Sequence, residues 1–452
     1  MKPAPPSRIA FGVPCPWLIA AASIAFACAG TGEADETRPP FRYVGSATCS
    51  AGGCHGGAGS KEPRGSEFSI WTQQDVHARA FSRLLDEPSK RIAQRLGFDA
   101  AHEAERCLKC HSPQISSREM AARHRLATRP MTTRKGMVCT EGVNCEQCHG
   151  PAEEWLEPHK ETTRWKSTSM ADRESLGFRD TRSLVTRAKL CADCHVGSAE
   201  SGRAVDHDLI AAGHPRLRFE FNSYLANMPA HWTPRADWHP ELSRGSDGFV
   251  ARETSTWAVG QLVAAAHGEK LIASRSPIDF AHFDCHACHH ELRAPSWRLE
   301  FRLPSARSGT PTLGSWYASQ RSLLESVIDV RRTMEVGALS RADVLLLMNG
   351  LAVEGAQLSA RTWEATSQVY LAMDAVTRDL RRNQEQLDPT SRVAASETAD
   401  ALESIRKRLE FPGSPVPLDS PQDFDVNRVK EIHEQFERIR QAWSATTAAK
   451  GR

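Results

Sequence analysis

The sequence predicts a mainly α protein with little regular sheet, in which a domain rich in cysteine and histidine precedes a carboxy-terminal helical bundle. Three observations predict it. Five cysteine-histidine motifs recur between residues 49 and 289, ordinary hydrophobic periodicity is weak through the same region, and apolar residues spaced three and four apart dominate after residue 320. At 452 residues there is room for two or three domains. With 40% hydrophobic and 25% charged residues the chain has the composition of a protein with a packed core. A net charge of +2 leaves no basic excess of the kind that nucleic acid requires.

Residues 1–29 read as an export signal. Lys2 and Arg8 precede an apolar run from Ile9 to Ala29, and Ala25-Phe26-Ala27 and Ala27-Cys28-Ala29 both offer small residues to a signal peptidase. Cleavage is expected near residue 27 or 29. Cys28 could instead be a lipidated first residue, although Ala25 stands where a lipobox usually has leucine. Pro14 and Pro16 break the stretch as a membrane anchor, so membrane association is expected only through this segment. The expectation is an extracytoplasmic, periplasmic protein, with residues 30–40 an exposed leader.

Cysteine spacing identifies the chemistry. Of thirteen cysteines, eight lie in four copies of C-x-x-C-H: Cys107, Cys110 and His111; Cys145, Cys148 and His149; Cys191, Cys194 and His195; and Cys285, Cys288 and His289. Two more form the longer Cys49-Ser-Ala-Gly-Gly-Cys54-His55. Two thiols at this spacing add to the two vinyl groups of one haem, and the following histidine turns back to ligate its iron. Zinc ribbons also use C-x-x-C pairs, but zinc does not require histidine directly after every second cysteine, and neither does a disulfide framework. The expected cofactor is haem c, with proximal ligands His55, His111, His149, His195 and His289. We number the sites 1 to 5 in chain order. Covalent attachment outside the cytoplasm agrees with the export signal.

Site 1 carries two extra residues between its cysteines. Ser50, Ala51, Gly52 and Gly53 are small enough to loop out while the ligand keeps its register. The alternative is a four-haem protein with a Cys49–Cys54 disulfide. Cys139 has no partner in this scheme. It is either buried and inert or a free thiol.

Low-spin haems need a second axial ligand, and five histidines are candidates. His77 falls on an expected amphipathic helix from Trp71 to Leu85, and His159 ends a short excursion after site 3. His207 and His214 are seven residues apart and would share one face if the segment between them were helical, and His267 follows the run Trp257 to Ala266. In reserve stand His102, His124, His231, His239, His282, His286 and His290. Methionine could also serve, but none is marked by context.

These residues resemble the multihaem cytochromes related to cytochrome c five-five-four of ammonia oxidisers. The resemblance covers roughly residues 41 to 300. It is carried by Tyr43-Val-Gly-Ser46, by Trp71 through His77-Ala78-Arg79-Ala80, by Gly142-Val-Asn-Cys-Glu-Gln-Cys-His-Gly150-Pro151, and by His207-Asp-Leu-Ile-Ala-Ala-Gly-His-Pro-Arg216-Leu217. It implies a mostly helical, haem-cored domain that transfers electrons to or from redox partners. In such proteins distal ligands stand at positions matching His77, His159 and His214. The chain departs from the pattern in having five sites rather than four, a longer first loop and an added carboxy-terminal region.

The haem domain is expected over 41–300, followed by a linker over 301–314 marked by Pro304, Gly309 and Pro311. Residues 315–446 read as a bundle of four or five helices. Its apolar clusters are Leu323, Leu324, Val327 and Ile328; Val344 to Met348; Val369, Met373, Val376 and Leu380; and Leu402, Ile405 and Leu409. A last stripe runs through Val429, Ile432, Phe436, Ile439 and Trp443. With no cysteine it holds no haem, and a cover for the haem domain is its expected role.

Two functions follow from this set. The first is an electron carrier with five covalent haems passing electrons between redox partner proteins. The second is an oxidoreductase acting on nitrite, hydroxylamine or a similar small nitrogen compound at one five-coordinate haem. The first is preferred, because no C-x-x-C-K occurs and none of Tyr43, Tyr224, Tyr317 and Tyr370 has the context of a haem-crosslinked residue. His207, His214, Arg216 or His231 would assist an open site if one existed.

Overall fold

The computed structural model describes residues 41–57, 64–112, 141–233, 247–274, 279–283, 321–336, 338–358, 363–410 and 426–450. The export signal, Cys139, the linker and the whole of site 5 with Cys285, Cys288 and His289 lie outside them, as do His124, His239, His286 and His290. Among the described residues the regular structure is helical, and one isolated bridge, Ser198 with Arg203, is the extended pairing. The protein is mainly α.

In the first half the helices are short, and three of them end on a motif histidine: Glu105–His111, Cys145–His149 and Leu184–His195. Local chemistry sets these limits. The Asn144 side chain accepts the Glu146 N–H and the Ser183 hydroxyl accepts the Thr186 N–H, each satisfying a donor that the first helical turn leaves open. Gly150 ends its helix at φ +87°, where a Cβ would lie 2.0 Å from the Gly177 carbonyl oxygen, so only glycine fits. The apolar clusters here are small. One groups Phe81, Leu84, Ala93 and Ala101; another joins Leu184, Ala188, Ala192 and Val196 to Phe219, Phe221, Val259 and Val263.

Two expected elements differ. The helix over Trp71–Leu85 is broken: Glu67–Gln74 ends before Asp75, which is extended, and two 3-10 turns follow, Val76–Arg79 and Ser82–Leu85. The Asp75 carboxylate accepts the His77 N–H at 2.9 Å, so a cap replaces continuous helix. His207 and His214 do not share a helical face either. Their helix, His207–Ala211, stops before Gly213 at φ +114°.

Helix Arg252–Ala273 is buried from Thr254 to Ala265 and packs against both Leu184–His195 and Trp363–Arg382. Gly260 permits the approach of Phe221, whose Cβ stands 2.4 Å from where a side chain would begin. Polar ties fix this contact. Asp379, fully buried, accepts the Thr254 N–H and hydroxyl at 2.7 and 2.8 Å, and Gln261 donates to Gln368 at 3.0 Å. The remaining core lies among Arg341–Leu358, Trp363–Arg382, Pro389–Leu409 and Val426–Lys450. Trp443 is inserted there, with its indole N–H donating to the Thr398 hydroxyl at 2.9 Å. Trp443→Ala is expected to cost about 3–5 kcal/mol, through lost burial and a cavity, in denaturant unfolding of the holoprotein, with the haem count unchanged. A loss below about 1 kcal/mol would show that this helix does not pack as described.

Candidate haem-attachment sites

Four motif histidines each stand opposite a histidine that belongs to no motif. His55 faces His159 with ring centroids 5.9 Å apart, His195 faces His77 at 6.0 Å, His111 faces His214 at 6.5 Å, and His149 faces His231 at 6.5 Å. Two metal–nitrogen bonds of about 2 Å, with about 1.1 Å from nitrogen to ring centre on each side, require about 6 Å between centroids. All four pairs match that span. Among the described residues no three His, Cys, Asp or Glu side chains converge as a metal held by protein alone would need. Two axial nitrogens with cysteines alongside suit a porphyrin iron, whose other four ligands come from the ring.

The ring orientations divide the sites. At site 1 the two imidazole planes are nearly parallel, at 8°. At sites 2, 3 and 4 they are crossed, at 85°, 80° and 78°.

Hydrogen bonds fix several rings. His55 Nδ1 bonds Glu67 Oε2 at 2.9 Å and His77 Nδ1 bonds Asp75 Oδ1 at 2.9 Å, while His111 Nδ1 donates to the Ala80 carbonyl at 2.9 Å and His214 Nδ1 to that of Pro215 at 2.8 Å. An acceptor at Nδ1 places the proton there and leaves Nε2 unprotonated and free to bind a metal. Burial pushes His149 and His195 down to about 4, and it lowers His159, His214 and His231 as well. Neutral imidazole, the form that binds iron, is therefore held through the neutral pH range. Around His159 stand Trp155 and Trp165, both in edge contact at 5.6 Å, while Phe219 and Tyr224 line His195.

The cysteines show which sites adjoin. Cys49 and Cys145 lie within hydrogen-bonding reach, and so do Cys110 and Cys194, while Cys148 is close enough to Cys191 and Cys194 to sense their charge. The order in space is therefore 1, 3, 4, 2. Burial pushes the Cys148 and Cys191 thiols up to about 11 and about 12.

Buried polar groups clamp adjoining sites together. Glu146, the first residue between the site 3 cysteines, is 1% exposed and accepts the backbone N–H groups of Val44 at 3.0 Å, Gly45 at 2.7 Å and Ala152 at 2.7 Å. It pins the segment leading into site 1 onto site 3. Glu141 adds the Ser46 N–H at 3.2 Å. Gly142 passes so close to the His77 carbonyl oxygen that a Cβ would lie 2.1 Å from it, and the next residue, Val143, donates its N–H to that oxygen at 2.9 Å. On the other side, Arg203 donates to the Lys109 carbonyl of site 2 at 2.8 Å and approaches Asp193 of site 4 at 3.6 Å.

Of the five expected distal ligands, His77, His159 and His214 thus stand opposite motif histidines, and His231 from the reserve set stands opposite His149. His207 lies against Phe280 at 6.0 Å, five residues before Cys285. His267 is held differently: its Nδ1 donates to the Gly197 carbonyl at 3.0 Å, and among the described residues it faces no motif histidine. At site 1, Gly52 and Gly53 have open space where a side chain would stand, so the extra residues of the loop press on nothing among the described residues.

Residues 48–150 match the family of cytochrome c554 and c-prime. The match spans sites 1 to 3 and His77, and it agrees with the resemblance read from the sequence. No curated protein and no solved structure matches the chain. This match supports a c-type cytochrome in electron transfer and implies haem c as the cofactor. Proteins of this family are typically extracytoplasmic, and among the described residues no helix is long and apolar enough to cross a membrane.

Proposed function

We propose that the chain is an exported multihaem cytochrome that carries five covalent haems and relays electrons between redox partner proteins outside the cytoplasm. The observation that carries this reading is the set of four facing histidine pairs, each at the span of a doubly ligated iron. With both axial positions supplied by protein, none of those irons keeps a place for a substrate. This favours a carrier over nitrogen-compound chemistry.

Haem c would supply the one-electron couple, held at sites 1 to 4 by their cysteines and by His55 with His159, His111 with His214, His149 with His231 and His195 with His77. The protein's own work is to fix those ligands. Carboxylates and carbonyls at Nδ1 hold the tautomers, aromatic rings exclude water from the ligand planes, and the clamps at Glu146 and Arg203 keep adjoining sites in contact. Small rearrangement on electron transfer follows from this rigidity. Support for site 5 comes from its C-x-x-C-H motif and from His207 beside the approach to it, and support for export comes from residues 1–29.

Intact mass of the mature protein tests the count. Five haems are expected, falling to four in a Cys49→Ser, Cys54→Ser double variant. Four haems in both proteins would mean that site 1 is a disulfide loop. A Gly52, Gly53 deletion, which restores C-x-x-C-H, is expected to keep all five.

A further inference from the structure

Electrostatics differ from one end of the row 1, 3, 4, 2 to the other. At site 1 the His55 ring is bonded to a carboxylate, Glu67, and the site shares its wall with two buried carboxylates, Glu146 and Glu141. At site 2 both rings are bonded to neutral carbonyls, those of Ala80 and Pro215, and a buried guanidinium, Arg203 at 7% exposure, sits on the motif backbone. Charges of the opposite sign are present but more exposed or already paired. Arg179 donates to the Gln147 carbonyl near site 3, Asp193 lies 3.6 Å from Arg203, Lys109 pairs with Glu105 at 3.4 Å, and Arg106 pairs with Asp206. Site 4 is intermediate, with Asp75 on His77 and Arg203 across its wall.

We propose that the four sites form a ladder of reduction potential, with site 1 at the low end and site 2 at the high end, so that electrons run 1, 3, 4, 2. The inference rests on the reading of these sites as bis-histidine haems and adds the direction of flow. A carboxylate at Nδ1 gives its imidazole more anionic character and stabilises ferric iron, and buried negative charge acts in the same sense. A buried cation stabilises the ferrous state instead. In each transfer one electron leaves a ferrous iron, which becomes ferric, and enters a ferric iron, which becomes ferrous; no bond or proton changes place. A one-electron donor protein would load site 1. Beside site 2, Arg216, two residues after His214, donates to the carbonyl of Phe283, which precedes Cys285 by two residues in the sequence, at 2.9 Å.

The nearly parallel ligand planes of site 1 make this testable. Such a haem gives a rhombic low-spin electron paramagnetic resonance spectrum, whereas crossed planes give a highly anisotropic one with a single large g value. In a reductive titration of the mature holoprotein, the rhombic component is expected to be the last of the four to disappear. Glu67→Gln keeps an acceptor for the His55 ring but removes the charge. It is expected to ease reduction of the rhombic component about tenfold, or 59 mV for a one-electron couple, and to leave the first-reduced component unmoved. Arg203→Gln is expected to do the converse, hindering reduction of the first-reduced anisotropic component about tenfold. A rhombic component that is reduced first, or that does not respond to Glu67→Gln with haem count and line shape intact, overturns the ladder while leaving bis-histidine ligation standing. Absence of any rhombic component would overturn the ligation reading itself.

Discussion

Replacing His231 with alanine is expected to turn one low-spin haem into a high-spin haem that binds carbon monoxide, with no haem lost. His231 comes from a stretch without regular structure, and its ring stands across from that of His149 at 6.5 Å and against Trp232 at 5.1 Å. Cys145, Cys148 and His149 remain in the variant, so attachment proceeds and one axial position of site 3 opens. Phe178, stacked at 6.3 Å from His149, stays beside the proximal ring. Added imidazole is therefore expected to fill the vacancy and restore the low-spin spectrum, a rescue that general damage to the fold would not allow. An unchanged low-spin spectrum in the variant would remove His231 as a ligand, and His239, eight residues further along the sequence, would be the next residue to replace.

The second large effect is expected from Glu146→Ala. Its carboxylate accepts three backbone N–H groups, and the variant leaves those of Val44, Gly45 and Ala152 without their acceptor. Hydrogen bonds to a charged group contribute about 1.5–3 kcal/mol each, and their losses are not additive, so a total cost of about 4 kcal/mol is expected. The loss is local. Amide hydrogen exchange at Val44, Gly45 and Ala152 is expected to accelerate by about a hundredfold or more, while amides in Pro389–Leu409 keep their protection. Equal acceleration in both regions would mean that Glu146 supports the whole fold rather than the junction of sites 1 and 3.

The two parts of the protein were not equally open to sequence reasoning, and the physical reason is separation along the chain. Attachment motifs are legible because two thioethers and a proximal ligand must fit within a few consecutive residues. A distal ligand has no such constraint. His159 stands opposite His55 and His231 opposite His149 across long spans of sequence, and nothing near His231 beyond the adjacent Trp232 sets it apart from His102, which only approaches Glu103 at 3.7 Å. Among the cysteine-histidine motifs, helical spacing failed at Trp71–Leu85 and at His207 to His214. In this region the backbone turns to place rings, guided by Asp75 and Gly213, rather than to bury a stripe. In the helices after residue 320 burial alone decides, and Val369, Met373, Val376 and Leu380 are all inaccessible, as their spacing requires. The run Val344 to Met348 is the exception. A helix cannot bury five consecutive residues on one face, and Leu346 is 55% exposed.

The role of a cover for the haems, expected of the carboxy-terminal helices, now has a physical basis to be tested. Helix Arg252–Ala273 lies in one apolar cluster with them and touches the helix that carries site 4. Glu364, at the start of Trp363–Arg382, accepts from Arg216 at 2.9 Å, two residues after His214, which faces His111.

Electron paramagnetic resonance of the oxidised mature protein, with haem iron counted on the same sample, bears most directly on the pairing of histidines at sites 1 to 4. One rhombic low-spin component from site 1 and three highly anisotropic components from sites 2, 3 and 4 are expected, following ligand planes at 8° and at 85°, 80° and 78°. High-spin iron amounting to more than one haem would contradict the pairing, because at least one of the four described sites would then lack its second histidine.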